Sequence, residues 1–365
     1  MTSSSTKVTL LLRQDFSSDK ESIHLKPTEF RKVENLLLSE RSSLESLLSK
    51  ESENLKLKIQ EKLGIEEGRL SKLLNSGFAL GLALDRWKKL GIWVISIYDE
   101  EEYPLLFKER YRDKCPLLLF GCGDKSFLQT GGLGVVGPRN APEWALTYAK
   151  KSSKRAAEEG VVIISGGAKG IDSAAMEGCL GGGGRMVNVI SSNLGREVLN
   201  KRNQQAIRDG QLTLISTEKP ETGWSAGLAM ARNKFIYLLS SGVLVVNCEK
   251  AEGGTWSGAS ECLTNNWSPV YVKPDDIEGS GNTLLLKRGA LEHSKVDLSQ
   301  MKKLNLNHSR MKISEIALLE DKSERSVKNK LTREGNTCLD YPEIKTLQKK
   351  QKKKEPQTKQ QDLFN

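Results

Sequence analysis

Four short segments of this 365-residue chain hold the residue types from which a binding or catalytic site could be built. The first is Ser165-Gly166-Gly167-Ala168-Lys169-Gly170-Ile171-Asp172, between a strand-like and a helix-like run. Glycines there let backbone N–H groups approach an anion, a helix N-terminus adds partial positive charge, and Lys169 adds a full one. The spacing is neither G-x-G-x-x-G nor G-x-x-x-x-G-K-[ST], so no dinucleotide or triphosphate fingerprint applies and no cofactor is expected. Asp172 is expected to cap its helix rather than to bind a metal. The second and third segments are Gly137-Pro138-Arg139 and Arg232-Asn233-Lys234, whose planar guanidinium groups suit phosphate oxygens. Asn233 has two uses open to it, bonding a base edge or bracing a loop. The fourth, Gly253-Gly254-Thr255, again precedes a helix and makes a second nest for an anion.

Other chemistries find few residues. The three histidines (24, 293, 308) all lie outside the glycine-rich region, which nearly excludes Ser-His-Asp or Cys-His catalysis there. Six scattered cysteines without C-x-x-C spacing argue for reduced thiols, a cytoplasmic location and no zinc site. No apolar run approaches the roughly 18 residues that cross a bilayer, and no basic leader precedes an apolar core, so no membrane association is expected. The net charge of +10 favours an anionic partner. Residues 345–360 weaken that argument, because seven lysines and one glutamate there give +6 of the excess.

The elements that must position these segments follow from hydrophobic periodicity. Residues 1–24 are Ser-rich and weakly patterned, a disordered or short lead-in. Apolar residues from Phe30 through Ile59, and again from Leu70 to Leu90, recur at helical spacing, with Pro27 opening a helix and Gly64 and Gly91 closing two. From Gly132 strands and helices alternate. The strands are Leu133–Val136, Val161–Ser165, Met186–Ser191, Thr213–Ser216, Val243–Cys248 and Val270–Lys273. The helices are Pro142–Glu159, Asp172–Leu180, Glu197–Asp209, Ser225–Ser240 and Ser257–Asn265. Short apolar strands, each followed by a helix, imply an α/β Rossmann-like, doubly wound, mostly parallel sheet covered on both faces. Ligands of such sheets sit beyond the carboxyl ends of the strands, where all four segments fall. Trp144, Trp224 and Trp256 lie near that edge, where they could stack bases, although core packing is the expected role of each. The domains expected are an N-terminal helical, SAM-like domain over 1–90 and a Rossmann-like domain over 91–292. A small helical, helix-turn-helix-like segment over 293–340 and a Lys/Gln-rich disordered tail over 341–365 follow.

The order and spacing of the motifs resemble the DprA/Smf DNA-processing family. They run from Gly91-Ile-Trp-Val-Ile with Asp99 and Tyr103-Pro104, through Pro116–Gly121 and Val136-Gly-Pro-Arg139, to Ser165–Asp172 with Ala175. Arg232-Asn-Lys-Phe-Ile with Leu239-Ser240, and Gly281-Asn-Thr-Leu through Gly289-Ala290, complete the series. The resemblance spans about residues 64–291. It implies a non-catalytic protein that holds single-stranded DNA along the sheet edge through Arg139, Lys169 and Arg232–Lys234. It also implies hand-over to a RecA-type recombinase and a homo-oligomeric state. Three departures mark a divergent branch: Met176 stands where the family has His, Gly195-Arg-Glu197 replaces Tyr-Pro, and Ala141–Ala145 with Trp144 replaces Ser/Thr and Tyr-Gly. A second reading is therefore a DprA-like regulatory partner of a toxin encoded beside it in a phage-defence or toxin–antitoxin module. A third is a phosphoribohydrolase-like enzyme or nucleotide sensor, for which the P-G-G-x-G-T pattern is incomplete at Glu252-Gly-Gly-Thr255.

Overall fold

A computed structural model describes residues 2–16, 23–49, 52–66, 68–248, 252–275 and 279–302. The expected helix-turn-helix segment, apart from its first residues, and the lysine-rich tail lie outside the described residues. Among the described residues, nine strands form one sheet: β1 (Ile92–Ser96), β2 (Leu118–Cys122), β3 (Leu133–Val136), β4 (Ile163–Ser165), β5 (Met186–Val189), β6 (Leu212–Ser216), β7 (Gly242–Val245), β8 (Val270–Val272) and β9 (Leu291–Glu292). Their order across the sheet is β1-β2-β6-β5-β4-β3-β7-β8-β9. From β6 to β9 every pairing is parallel, with Leu133 opposite Ile163 on one side of β3 and opposite Gly242 on the other. The two pairings beyond β6 are antiparallel, Ile92 meeting Cys122 and Phe120 meeting Ser216.

The parallel strands are buried on both faces, which is why they read as continuous apolar runs. Leu133 and Val135 of β3 face one layer and Val136 the other. Helices Glu143–Glu158 and Ile171–Gly181 cover the first face through Ala145, Ala149, Ala175 and Cys179. Helices Ala226–Leu239 and Gly253–Asn265 cover the second through Ile236, Leu239, Ala259 and Cys262. The chain steps outward from β3 to β4, β5 and β6, then returns through Ala226–Leu239 to β7 on the other side of β3. A crevice opens where the order reverses, between the loops that leave β3 and β7.

The lead-in expected for residues 1–24 is instead a helix, Ser4–Arg13, in which Ser3 accepts the Thr6 N–H at 3.2 Å. Val8, Leu10 and Leu12 are fully buried in the layer that includes β1 and β2. Ten residues are too few for an amphipathic period to stand out among serines, and tertiary burial supplies the stability that propensity does not. The helices Pro27–Ser39, Glu53–Leu63, Arg69–Leu74 and Gly77–Lys89 join the same apolar layer. Trp87 packs edge-on against Phe120 of β2, ring centroids 5.3 Å apart, and its indole N–H donates to Glu221 at 2.8 Å. The expected helix 197–209 is two, Leu194–Leu199 and Lys201–Arg208, because the Asn200 side chain accepts the N–H groups of Arg202 and Asn203 and starts a new turn.

Candidate functional site

The reversal of strand order coincides with a cleft of about 420 Å³, lined by the loops after β3, β4 and β7 and by helix Ala226–Leu239. The loops after β3 and β4 meet through glycines that admit close neighbours. A Cβ on Gly137 would meet Ile171 at 2.4 Å, and one on Gly170 would lie 2.4 Å from the Arg139 carbonyl oxygen. Gly170 also has φ +80°, so the loops after β3 and β4 interlock only with glycine there. The Ile171 N–H donates to the Pro138 carbonyl at 3.4 Å, completing that junction.

Arg232 is the deepest charge. Its guanidinium lies against the Gly166 backbone, where a Cβ would fall 1.6 Å from Nη1. The residue is 7% exposed, and its Nε has no hydrogen-bond partner. Burial lowers its pKa, the buried Asp172 carboxyl opposes that shift, and the charge of Arg139 adds to it. Asp172 does not cap the helix: Gly170 occupies that position and Asp172 stands in the first turn, accepting the Ala168 N–H at 3.3 Å. Burial pushes its carboxyl up from the ordinary aspartate range, against the pull of Arg232 and of nearby N–H groups. A buried guanidinium with an unpartnered donor, beside a carboxyl whose charged form burial disfavours, gives the cleft a net attraction for an anion.

Arg139 is exposed at the mouth of the cleft, its guanidinium 5.3 Å from the ring centroid of Trp224. Trp224 is 54% exposed rather than part of the core, as is Trp144 at 45%. Trp256 is half-buried, with the Arg288 guanidinium 5.2 Å from its ring centroid. Gly253, Gly254 and Thr255 form the first turn of their helix, which starts four residues before the expected Ser257, so the nest is the helix N-terminus itself. Asn233 donates to the Gly254 carbonyl at 3.5 Å and braces that turn. Tyr237, fully buried, donates to the Thr255 carbonyl at 3.4 Å.

Other residues of the expected set sit elsewhere. The Ser165 hydroxyl is buried and donates to the Val135 carbonyl at 2.8 Å, tying β4 to β3. Lys169 is exposed on its loop, outside the cleft lining. Gly167, with φ +66°, lines a separate polar pocket of about 150 Å³ with Met176 and Asn188. Lys234 turns towards Tyr111, donating to its hydroxyl at 3.1 Å, and lines a different cleft with Arg13, Arg31 and Lys114. Met230 and the exposed carboxylate Glu252, neither of them in the expected binding set, also line the cleft.

Sheet order, switch-point cleft and paired arginines define a Rossmann-type α/β protein built to hold an anionic ligand at its strand ends. The chain belongs to the DNA recombination-mediator protein A family, whose model matches residues 94–302. It is 30% identical over 214 residues to the DNA processing protein DprA of Bacillus subtilis (strain 168), a match covering 57% of this chain and 70% of that protein. It is also 30% identical over 201 residues to Protein Smf of Synechocystis sp., covering 53% of this chain and 49% of that one. The X-ray structure of DprA from Streptococcus pneumoniae shares the fold, with a TM-score of 0.51 at 24% identity, covering 73% of this chain and 94% of that one.

Proposed function

We propose that this chain is a non-catalytic cytoplasmic protein that binds single-stranded DNA in the switch-point cleft and presents it, as a homo-oligomer, to a RecA-type recombinase. The observation that carries the reading is the pair Arg139 and Arg232. One is exposed beside an aromatic ring and the other buried with an unpartnered N–H, and both line a cleft that also holds a helix N-terminus. An exposed cation beside an exposed indole suits a phosphate and its unstacked base, which a duplex does not offer. The Gly253-Gly254 turn lines the same cleft and presents the N–H groups of a helix start to a phosphate. Family membership supports the same reading, since its description is that of a recombination mediator.

The test is a competition titration in which a labelled oligothymidylate is displaced by unlabelled single strand or duplex of equal length. The account expects the single strand to compete at much lower concentration, and Arg139→Ala to weaken binding of the single strand. Equal competition by duplex, or no binding at low salt, would refute it.

A further inference from the structure

A second exposed aromatic residue with a cation over its face stands on the same sheet edge, outside the cleft. Trp144 opens helix Glu143–Glu158, four residues after Asn140 of the cleft lining, so the two lie within about 14 Å of chain. Lys273 leaves the carboxyl end of β8 and places Nζ 4.8 Å from the Trp144 ring centroid and 5.6 Å from that of Tyr148. Lys273 also donates to the Pro274 carbonyl at 3.1 Å. Tyr148 is held in turn by a hydrogen bond between its hydroxyl and His293 Nδ1, and by edge-on packing of the two rings. The lysine is thus fixed over the aromatic pair while nearly half of the indole stays open. Two carboxylates lie near in sequence, Glu143, which is exposed, and Asp275, which accepts from Ser280 at 2.6 Å and from Thr283 at 3.2 Å.

Alternating cations and exposed rings are what single-strand binding surfaces use, since every base has a face to stack and every nucleotide a phosphate. Arg139 with Trp224 makes one such unit and Lys273 with Trp144 another. The first sits beyond β3 and the second beyond β8, two positions along the sheet. We infer that Trp144 and Lys273 form a second nucleotide subsite, where a base stacks on the indole and its phosphate meets the ammonium, on a strand continuing from the Arg139 cleft. The inference rests on the single-stranded-DNA reading of that cleft.

The full chain would be cross-linked by ultraviolet light to an oligothymidylate carrying 5-bromodeoxyuridine, and the adducts mapped after trypsin digestion. Trp144 and Tyr148 share the tryptic peptide 140–150, which is expected to carry an adduct. In parallel, Trp144→Ala should lower affinity for a 12-mer by between about fivefold and a hundredfold, Trp144→Phe should largely restore it, and neither should change the salt slope. Lys273→Ala should flatten that slope by roughly 0.7. Because Trp144 is exposed, a change in melting temperature is not expected. If Trp144→Ala binds like the parent and the 140–150 peptide carries no adduct, while Arg139→Ala still weakens binding, the second subsite is wrong and the cleft reading stands. If Arg139→Ala is also without effect, both fail.

Discussion

At the residue scale, position and not type separates the residues that meet in the cleft from those that do not. Arg232, Asn233 and Lys234 are consecutive on a helix, so their side chains leave it about 100° apart. One enters the cleft, one braces the Gly254 turn and one turns to Tyr111. The sequence shows three polar residues breaking an apolar helix, and gives no sign of which will be buried. Gly166→Ala is expected to displace the Arg232 guanidinium from its seat. Destabilisation should be about 1–3 kcal/mol by thermal melting, and loss of DNA affinity should exceed what that shift explains. Asp172 contributes a sign to the pH dependence. Its raised pKa means that lowering pH neutralises it earlier than an ordinary aspartate, removing a negative charge that would repel a phosphate in the cleft. Affinity should therefore rise as pH is lowered into a range above that of an ordinary aspartate, and Asp172→Asn should bind more tightly where the parent carboxylate is charged and lose that dependence. Titrations at four pH values would check both. The linked effect on folding has the matching sign: the contribution of Asp172 to stability is full below its unfolded pKa and fades as pH climbs through its raised folded value.

At the scale of elements, the pairing of helices Glu143–Glu158 and Ile171–Gly181 holds the β3 and β4 loops together. The approach is close enough that a Cβ on Gly178 would sit 2.0 Å from the Lys150 carbonyl oxygen. Gly178→Ala must separate the two backbones, and is expected to cost about 1–3 kcal/mol in denaturant melts and to loosen the cleft with it. The N-terminal helix is tied to the sheet through Asp99, which accepts the Ser96 N–H at 2.6 Å and the Thr6 hydroxyl. Burial raises the Asp99 pKa, but the donors from Ser96, Thr6 and Ser3 together outweigh it and the net shift is downward. A depressed carboxylate stabilises above its unfolded pKa, and that contribution disappears as pH falls through the folded value. Acid melts below about pH 4 should show the parent losing stability that Asp99→Asn lacks at every pH. The tie was not legible in the sequence, because Thr6 and Asp99 are 93 residues apart. The parallel strands were legible, because burial on both faces leaves an apolar run that a polar helix face interrupts. Strand order was not, since nothing local records that helix Ala226–Leu239 carries the chain back past β3.

At the scale of the whole molecule, one sheet edge gathers segments up to 118 residues apart, from Gly137 to Thr255, into a single anion-ready cleft. The motifs were readable one by one from glycine and arginine content, and the resemblance they carry agrees with the family to which the chain belongs. Their convergence is a property of the switch point, and the fold alone supplies it. Membership also leaves the departures in view: Met176 and Asn188 line a small polar pocket beside Gly167, and Trp144 stands exposed at the edge. Arg139 and Arg232 are proposed to grip the backbone of a single DNA strand. The dependence of oligothymidylate affinity on salt concentration, for the parent and for Arg139→Ala, decides whether they do. Each phosphate neutralised contributes about −0.7 to the slope of log affinity against log salt for single strands. The parent should show a steep slope and the variant a slope flatter by roughly 0.7; identical slopes and affinities for the two proteins would rule the grip out.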